Sequence, residues 1–191
     1  DLYYAHDDDP SVPIGESLEA FQALIDAGKI RSCGASNYTN DQLAEALAAG
    51  GTGRAAYASF QPHYNLARRG DYEGEAEELC VRHNLGVITY FSLGAGFLTG
   101  KYRSKADFEG KARGGSAGMY YSEANMAMLV RLEEIARRHD ATMAQVALAW
   151  LMARPSVTAP IASATSLTQL TDIMKSAELK LTPEDFTALE A

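Results

Sequence analysis

Five short apolar stretches of this chain each run into residues able to do chemistry. LYYA runs into His6, IRSCGA into Ser36 and Asn37, YASF into Gln61, GVIT into Tyr90, and VTAPIA into Ser163, with Thr165 and Gln169 just beyond. An imidazole donates hydrogen bonds and moves protons near neutral pH. An Asn or Gln amide both donates and accepts, and a tyrosine ring offers a flat apolar face. After Tyr90 come Phe91, Ser92, Leu93 and then Gly94, Ala95 and Gly96, small residues that let backbone amides approach a ligand closely. Taken singly, each has a structural alternative: His6 as a cap or core histidine, Ser36 and Asn37 as a turn or helix cap, Tyr90 as an ordinary core residue. The run Asp7, Asp8, Asp9 points its side chains in different directions, with no His or Cys partner at ligand spacing, so it reads as a solvated turn and not a metal site. HxxxH and GKS/T are absent, which removes the simplest zinc-hydrolase and nucleotidase readings.

These residues need elements to position them. Leu2 to Ala5 reads as a strand, HDDDPSVP as a turn, and 15–27 as a helix with Leu18, Phe21, Leu24 and Ile25 on one face and Gly28 as its stop. A second strand spans 30–35, followed by a helix capped by Thr39 or Asn40 and carrying Leu43 and Leu47. The pattern repeats as a strand over 56–61, a helix over 75–83 and an apolar strand over 86–90 suited to burial on both faces. The stretch from Gly100 to Tyr121 has no clear periodicity and is a candidate flap. Helices over 123–139 and 142–154, a strand over 157–162 and a helix over 166–177 follow. A last helix opens at Thr182 with a Thr-Pro-Glu-Asp cap. Alternating strands and helices at this spacing predict a parallel α/β fold, and five such units, where a closed eight-unit barrel takes about 250 residues, predict an incomplete barrel lacking its first part. Five parallel strands leave two free edges and an open inner face, to be covered by a further fragment or by another copy of the chain.

With 191 residues and 47% apolar content the chain can bury a sizeable core. Its formal charge is −8 and its cations form no stripe, which argues against nucleic acid as a partner. Cys33 and Cys80 lie in apolar stretches without CxxC spacing and read as reduced core thiols. No apolar run approaches the roughly 18 residues of a membrane span. DLYYAHDDD lacks the basic and apolar regions of a signal peptide, so a cytoplasmic protein is expected. Asp1 is no initiator, and the first residues already read as a strand, so an upstream segment is expected.

The strand ends and their surroundings together resemble one family. DLYYAHDDDP, VPIGESLEAFQALIDAGKIRSCGASNY, SFQPHYNL, GVITYFSLGAGFLTGKY and QVALAWLMARPSVTAPIASATSLTQL resemble, in order, successive segments of the aldo-keto reductases. The resemblance covers essentially the whole chain. It implies that residues 1–191 are a single domain, the C-terminal portion of a (β/α)8 TIM-type barrel, and that the protein reduces the carbonyl of an aldehyde or ketone with a reduced nicotinamide cofactor. On the same basis His6 would hydrogen-bond the substrate carbonyl. Ser36, Asn37 and Gln61 would hold the nicotinamide carboxamide, and Tyr90 would stack on the ring. Phe91, Ser92, Leu93 and Gly94 would form the phosphate loop, and Ser163, Thr165 and Gln169 would meet the adenosine end. Family usage favours NADP(H) over NAD(H), although the basic side chain often found at that end is absent here and the nearest cation along the chain is Lys175. The family's Asp, Tyr and Lys lie on earlier strands and have no counterpart in this chain, and Tyr3 and Tyr4, inside a strand, do not replace them. The alternative is therefore a non-catalytic fragment that binds cofactor or a protein partner.

Overall fold

The structure is a computed structural model describing residues 1–191. Five strands, β1 (Leu2–Ala5), β2 (Ser32–Ser36), β3 (Tyr57–Gln61), β4 (Gly86–Thr89) and β5 (Ala159–Pro160), follow one another in sequential order. Helices α1 (Ile14–Asp26), α2 (Asn40–Ala49), α3 (Glu75–Arg82), α4 (Gly114–Gly118), α5 (Glu123–Arg138), α6 (Met143–Met152), α7 (Leu167–Met174) and α8 (Pro183–Glu190) alternate with them or follow them. The chain divides into two compact units, one of residues 1–63 and 70–88, the other of residues 64–69 and 89–191. No helix is long and apolar enough to cross a membrane.

In the first unit β1, β2, β3 and β4 pair in parallel, with Ala5 beside Ala35 and Ser36 beside Gln61. The register slips once, between Cys33 and Gly34. Gly34 is needed there: a Cβ would lie 2.6 Å from both the Ser59 carbonyl oxygen and the Tyr4 ring. The vacated space lets Tyr4 cross the strand and bond Ser59 through their hydroxyls at 2.5 Å. Burial pushes the Tyr4 phenol up, with the Ser59 bond opposing. Helix α1 places Phe21 edge-on to both Tyr3 and Tyr57, with centroids 5.8 and 6.1 Å apart. It stops as the sequence indicates, at Gly28 with φ of 67°. Cys33 and Cys80 are buried and free, and burial pushes their thiols up to about 11 and about 12, out of reach of ready ionisation. Strand β1 pairs only with β2 in this unit, and Tyr3 is 55% exposed.

The second unit is built around α6, in which every residue from Met143 to Leu151 is buried. A helix apolar on all sides has to be an interior one. Its Trp150 meets Tyr64 with centroids 5.5 Å apart and donates its indole N–H to Glu190 Oε1 at 3.0 Å, while the Arg154 guanidinium lies 5.3 Å from its ring. Strand β5 is two residues long, and Ile161, just past it, donates its N–H to the Thr89 carbonyl at 2.9 Å. The aperiodic stretch from Gly100 to Tyr121 is ordered locally by a 3₁₀ turn over Lys105–Phe108, by α4, and by rings: Tyr102 stacks on Phe108 at 4.6 Å and Phe97 on Tyr120 at 5.8 Å.

Helix α8 begins with the capping box its sequence announces, Thr182 with Asp185. The buried Asp185 carboxylate also accepts from Arg138 at 2.5 Å and pairs with His139 Nε2 at 2.7 Å, tying α8 to the end of α5. Burial works against this carboxylate, but the Thr182 N–H, His139 and Arg138 outweigh it and bring the carboxyl down to about 2. A depressed folded pKa contributes stability above the unfolded value and loses it as pH falls through the folded one. Acid melts should therefore show a loss of stability between about pH 4 and pH 2 that Asp185→Asn lacks, the variant being less stable at pH 7 by about 1–3 kcal/mol. An equal acid slope in both proteins would contradict this assignment.

Candidate functional site

The parallel register brings the ends of β1, β2 and β3 together in the first unit. The chain turns sharply after β2, with Asn37 at φ of 55°, a left-handed conformation that Asn tolerates better than most residues. That turn aims the Asn37 side chain at the end of β1, where its Nδ2 donates to the His6 carbonyl at 2.9 Å. Ser36, 1% exposed, donates its hydroxyl to the Gln61 carbonyl at 2.9 Å. Four of the residues singled out from the sequence, His6, Ser36, Asn37 and Gln61, thus come together at the ends of three strands through two hydrogen bonds, each to a main-chain carbonyl. The His6 ring is exposed, with Nδ1 3.1 Å from Asp7 Oδ2. Asp8 is held by Gln42 Nε2 at 2.7 Å, and Gln42 completes the capping box of α2 with Thr39. The acidic turn is therefore pinned by the following helix, and no group of three or more His, Cys, Asp or Glu stands together to hold a metal.

In the second unit Tyr90 lies just past β4, half-buried, its ring 5.4 Å from that of Phe91 at 56°. Phe91, Gly94, Ala95 and Gly96 all have positive φ, of 52°, 57°, 54° and 95°. Positive φ strains Phe91 and Ala95, which carry a Cβ. The turn is held by Gly94 N–H to the Phe91 carbonyl at 2.7 Å, and the buried Ser92 donates to the Thr89 carbonyl at 3.0 Å. Leu93 accepts from the N–H groups of Gly96 and Leu98. Further along, Thr165 and Gln169 meet each other: Gln169 Oε1 accepts from the Thr165 N–H at 2.8 Å and hydroxyl at 2.9 Å. Ser166 caps α7 through the Gln169 N–H at 3.2 Å. Ser163 is exposed.

Two features were not found from the sequence. Lys101 folds back over the left-handed turn, so close that a Cβ on Gly96 would lie 2.8 Å from its Nζ. It also lines, with Lys111 and Arg113, a cleft of about 520 Å³ whose one carboxylate is Asp107. That carboxyl is held below the usual range by the N–H groups of Arg103 and Ser104, so its charge is answered within its own turn. The signal was present as a cluster of cations between Lys101 and Arg113, hidden in a segment without periodicity. The second feature is Asn65, fully buried, whose side chain reaches the Phe91 carbonyl at 2.9 Å.

Comparison with known proteins places this geometry. The model of the Aldo/keto reductase family matches residues 1–191. Among curated proteins, the chain is 32% identical over 187 residues to the probable voltage-gated potassium channel subunit beta of Arabidopsis thaliana, covering 94% of this chain and 56% of that one. It is 32% identical over 165 residues to the aldo-keto reductase yakc [NADP(+)] of Schizosaccharomyces pombe, covering 84% and 47%. Among solved structures, a thermostable aldo-keto reductase in complex with the inhibitor epalrestat matches with a TM-score of 0.78 and 28% identity, over 100% of this chain and 58% of that one. The chain spans about half the length of the curated relatives it matches.

The strand-end series gives a test of its own. Asn37→Ala loses the bond to His6 and places a poorly suited side chain in the left-handed region, for a cost of about 2 kcal/mol, whereas Asn37→Gly loses only the bond, for about 1 kcal/mol. Urea melts should rank wild type above Gly and Gly above Ala. Equal stability of all three would mean that the bond does not hold the turn.

Proposed function

This chain belongs to the aldo/keto reductase family, and on that premise we propose that its protein is a nicotinamide-dependent oxidoreductase that reduces the carbonyl of an aldehyde or ketone. The observation that carries the reading is the gathering of His6, Asn37, Ser36 and Gln61 at one end of parallel strands. Parallel α/β folds bind small ligands outside the carboxyl ends of their strands. When bound, the reduced nicotinamide supplies a hydride.

The side chains suit such a cofactor part by part. Ser36 has given its proton to the Gln61 carbonyl, so toward a carboxamide it accepts, while the half-buried Gln61 amide can donate. The Tyr90 ring offers an apolar face to an aromatic base. The left-handed turn from Phe91 to Gly96, with the Lys101 ammonium over it, suits a pyrophosphate, and Ser163, Thr165 and Gln169 suit an adenosine with its ribose phosphate. NADP(H) is the preferred cofactor in this reading, supported by the NADP-named relative and by the exposed Ser163 hydroxyl of that last segment. His6 turns Nδ1 to Asp7, so Nε2 is the atom left for a substrate carbonyl oxygen. It donates there when the ring carries both protons, and a proton passed from it to the developing alkoxide completes the alcohol.

A second reading, a cofactor-binding subunit that serves a protein partner, is favoured by the match to proteins named as potassium channel β subunits. Steady-state kinetics and NADPH titration of the purified protein separate the two. Tyr90→Ala should weaken NADPH binding about tenfold, and His6→Ala should lower kcat for a test aldehyde while leaving the NADPH dissociation constant within about twofold. Unchanged kinetics in both variants would break the assignment, and tight NADPH binding without turnover of any carbonyl would favour the second reading.

A further inference from the structure

We propose that Asn65 is a positioning residue, fixing the Phe91 carbonyl and through it the Tyr90–Phe91 ring pair; its consequence for ligand binding rests on the cofactor reading above. Asn65 is itself fixed on every side. Its backbone exchanges two hydrogen bonds with Arg68, at 3.4 and 3.0 Å, closing a tight turn. Its Oδ1 accepts from the Ala67 N–H at 2.9 Å. That donor settles which way the amide faces, so Nδ2 is the atom directed at the Phe91 carbonyl at 2.9 Å and, more weakly, at the Tyr120 hydroxyl at 3.4 Å. A buried amide with its acceptor and both donor directions engaged cannot rotate without losing bonds that no water replaces.

The carbonyl it grips belongs to a residue under strain. Phe91 has φ of 52°, carries a bulky side chain and is 39% exposed, so neither glycine-like freedom nor packing explains its conformation. Two donors hold its oxygen, the Gly94 N–H at 2.7 Å from within the turn and Asn65 from outside it. The inner bond would survive a rigid rotation of the whole turn; the outer one references the turn to a second segment of the same unit. Asn125 extends that reference, donating to the Ala67 carbonyl at 3.2 Å and to the Tyr120 carbonyl at 2.7 Å from the first turn of α5, without touching Phe91. Asn65 approaches the backbone of Phe91 and no side chain singled out for ligand contact, so its effect on binding is indirect.

The test compares Asn65→Asp, which keeps the acceptor for Ala67 and sets an oxygen against the Phe91 carbonyl, with Asn125→Ala, which weakens the same network elsewhere. Two probes are titrated into the intact protein: NADPH, and adenosine 2′-monophosphate, which lacks both the nicotinamide and the pyrophosphate assigned to the turn. Amide hydrogen exchange is followed across 91–96. The expected result is a tenfold or greater loss of NADPH affinity in Asn65→Asp, with the truncated probe within twofold of wild type and Gly94 exchange accelerated. Asn125→Ala should leave the ratio of the two affinities unchanged even if its melting temperature falls as far. Equal losses for both probes, or the same change of ratio in Asn125→Ala, would overturn the proposal by reducing Asn65 to a residue that merely holds the fold. If wild-type protein binds neither probe, the cofactor reading fails, and exchange alone decides: acceleration confined to the turn in Asn65→Asp supports the positioning role, and its absence overturns it.

Discussion

The hydrogen bond from the Asn37 side chain to the His6 carbonyl is the constraint on which the arrangement of the strand ends in the first unit depends. Parallel pairing makes it possible. Because β1, β2 and β3 run the same way in matched register, their last residues reach one end together, and side chains that leave those strands meet without any long excursion of the chain. The left-handed step at Asn37 then converts proximity into a bond. Without it, His6 would sit on an exposed acidic turn with only Asp7 and the Gln42 anchor at Asp8 to restrain it.

The second unit solves a related problem by different means. Four residues from Phe91 to Gly96 have positive φ, and two of them are not glycine. Conformations of this kind persist when their surroundings over-determine them. Here the surroundings are Ser92 on the Thr89 carbonyl, Gly94 and Asn65 on the Phe91 carbonyl, and Tyr120 stacked on Phe97. Charge comes from Lys101, whose Nζ lies close against Gly96.

Much of this was legible in the sequence, for identifiable reasons. Strands and helices with a clear apolar period, such as Leu2–Ala5 and α5, were placed to within a residue or so, and the caps at Thr39, Thr182 and Gly28 could be read because capping chemistry is local. The strand-end residues could be expected to lie together because parallel strands end on one side, and the structure brings His6, Ser36, Asn37 and Gln61 together there. What escaped notice depends on distant partners. Nothing in the spacing of Lys101, Lys111 and Arg113 shows that they line one cleft, since they lie on a segment ordered by aromatic stacking and not by periodicity. Asn65 follows Tyr64 in what reads as an ordinary turn, and its reach to Phe91 exists only once the chain has folded back. The apolar run over 157–162 reads as a longer strand than the two residues, Ala159–Pro160, that pair in β5, because pairing is a tertiary event that propensity does not register.

The proposed reductase activity stands on this protein binding a nicotinamide dinucleotide. Hydrogen–deuterium exchange of the protein with and without NADPH tests it most directly. The account predicts protection concentrated at 36–37, 61–63 and 90–96, with the groove lined by Glu133, Arg137 and Asp140 unaffected. Protection at that groove instead, or none anywhere at saturating NADPH, would contradict it.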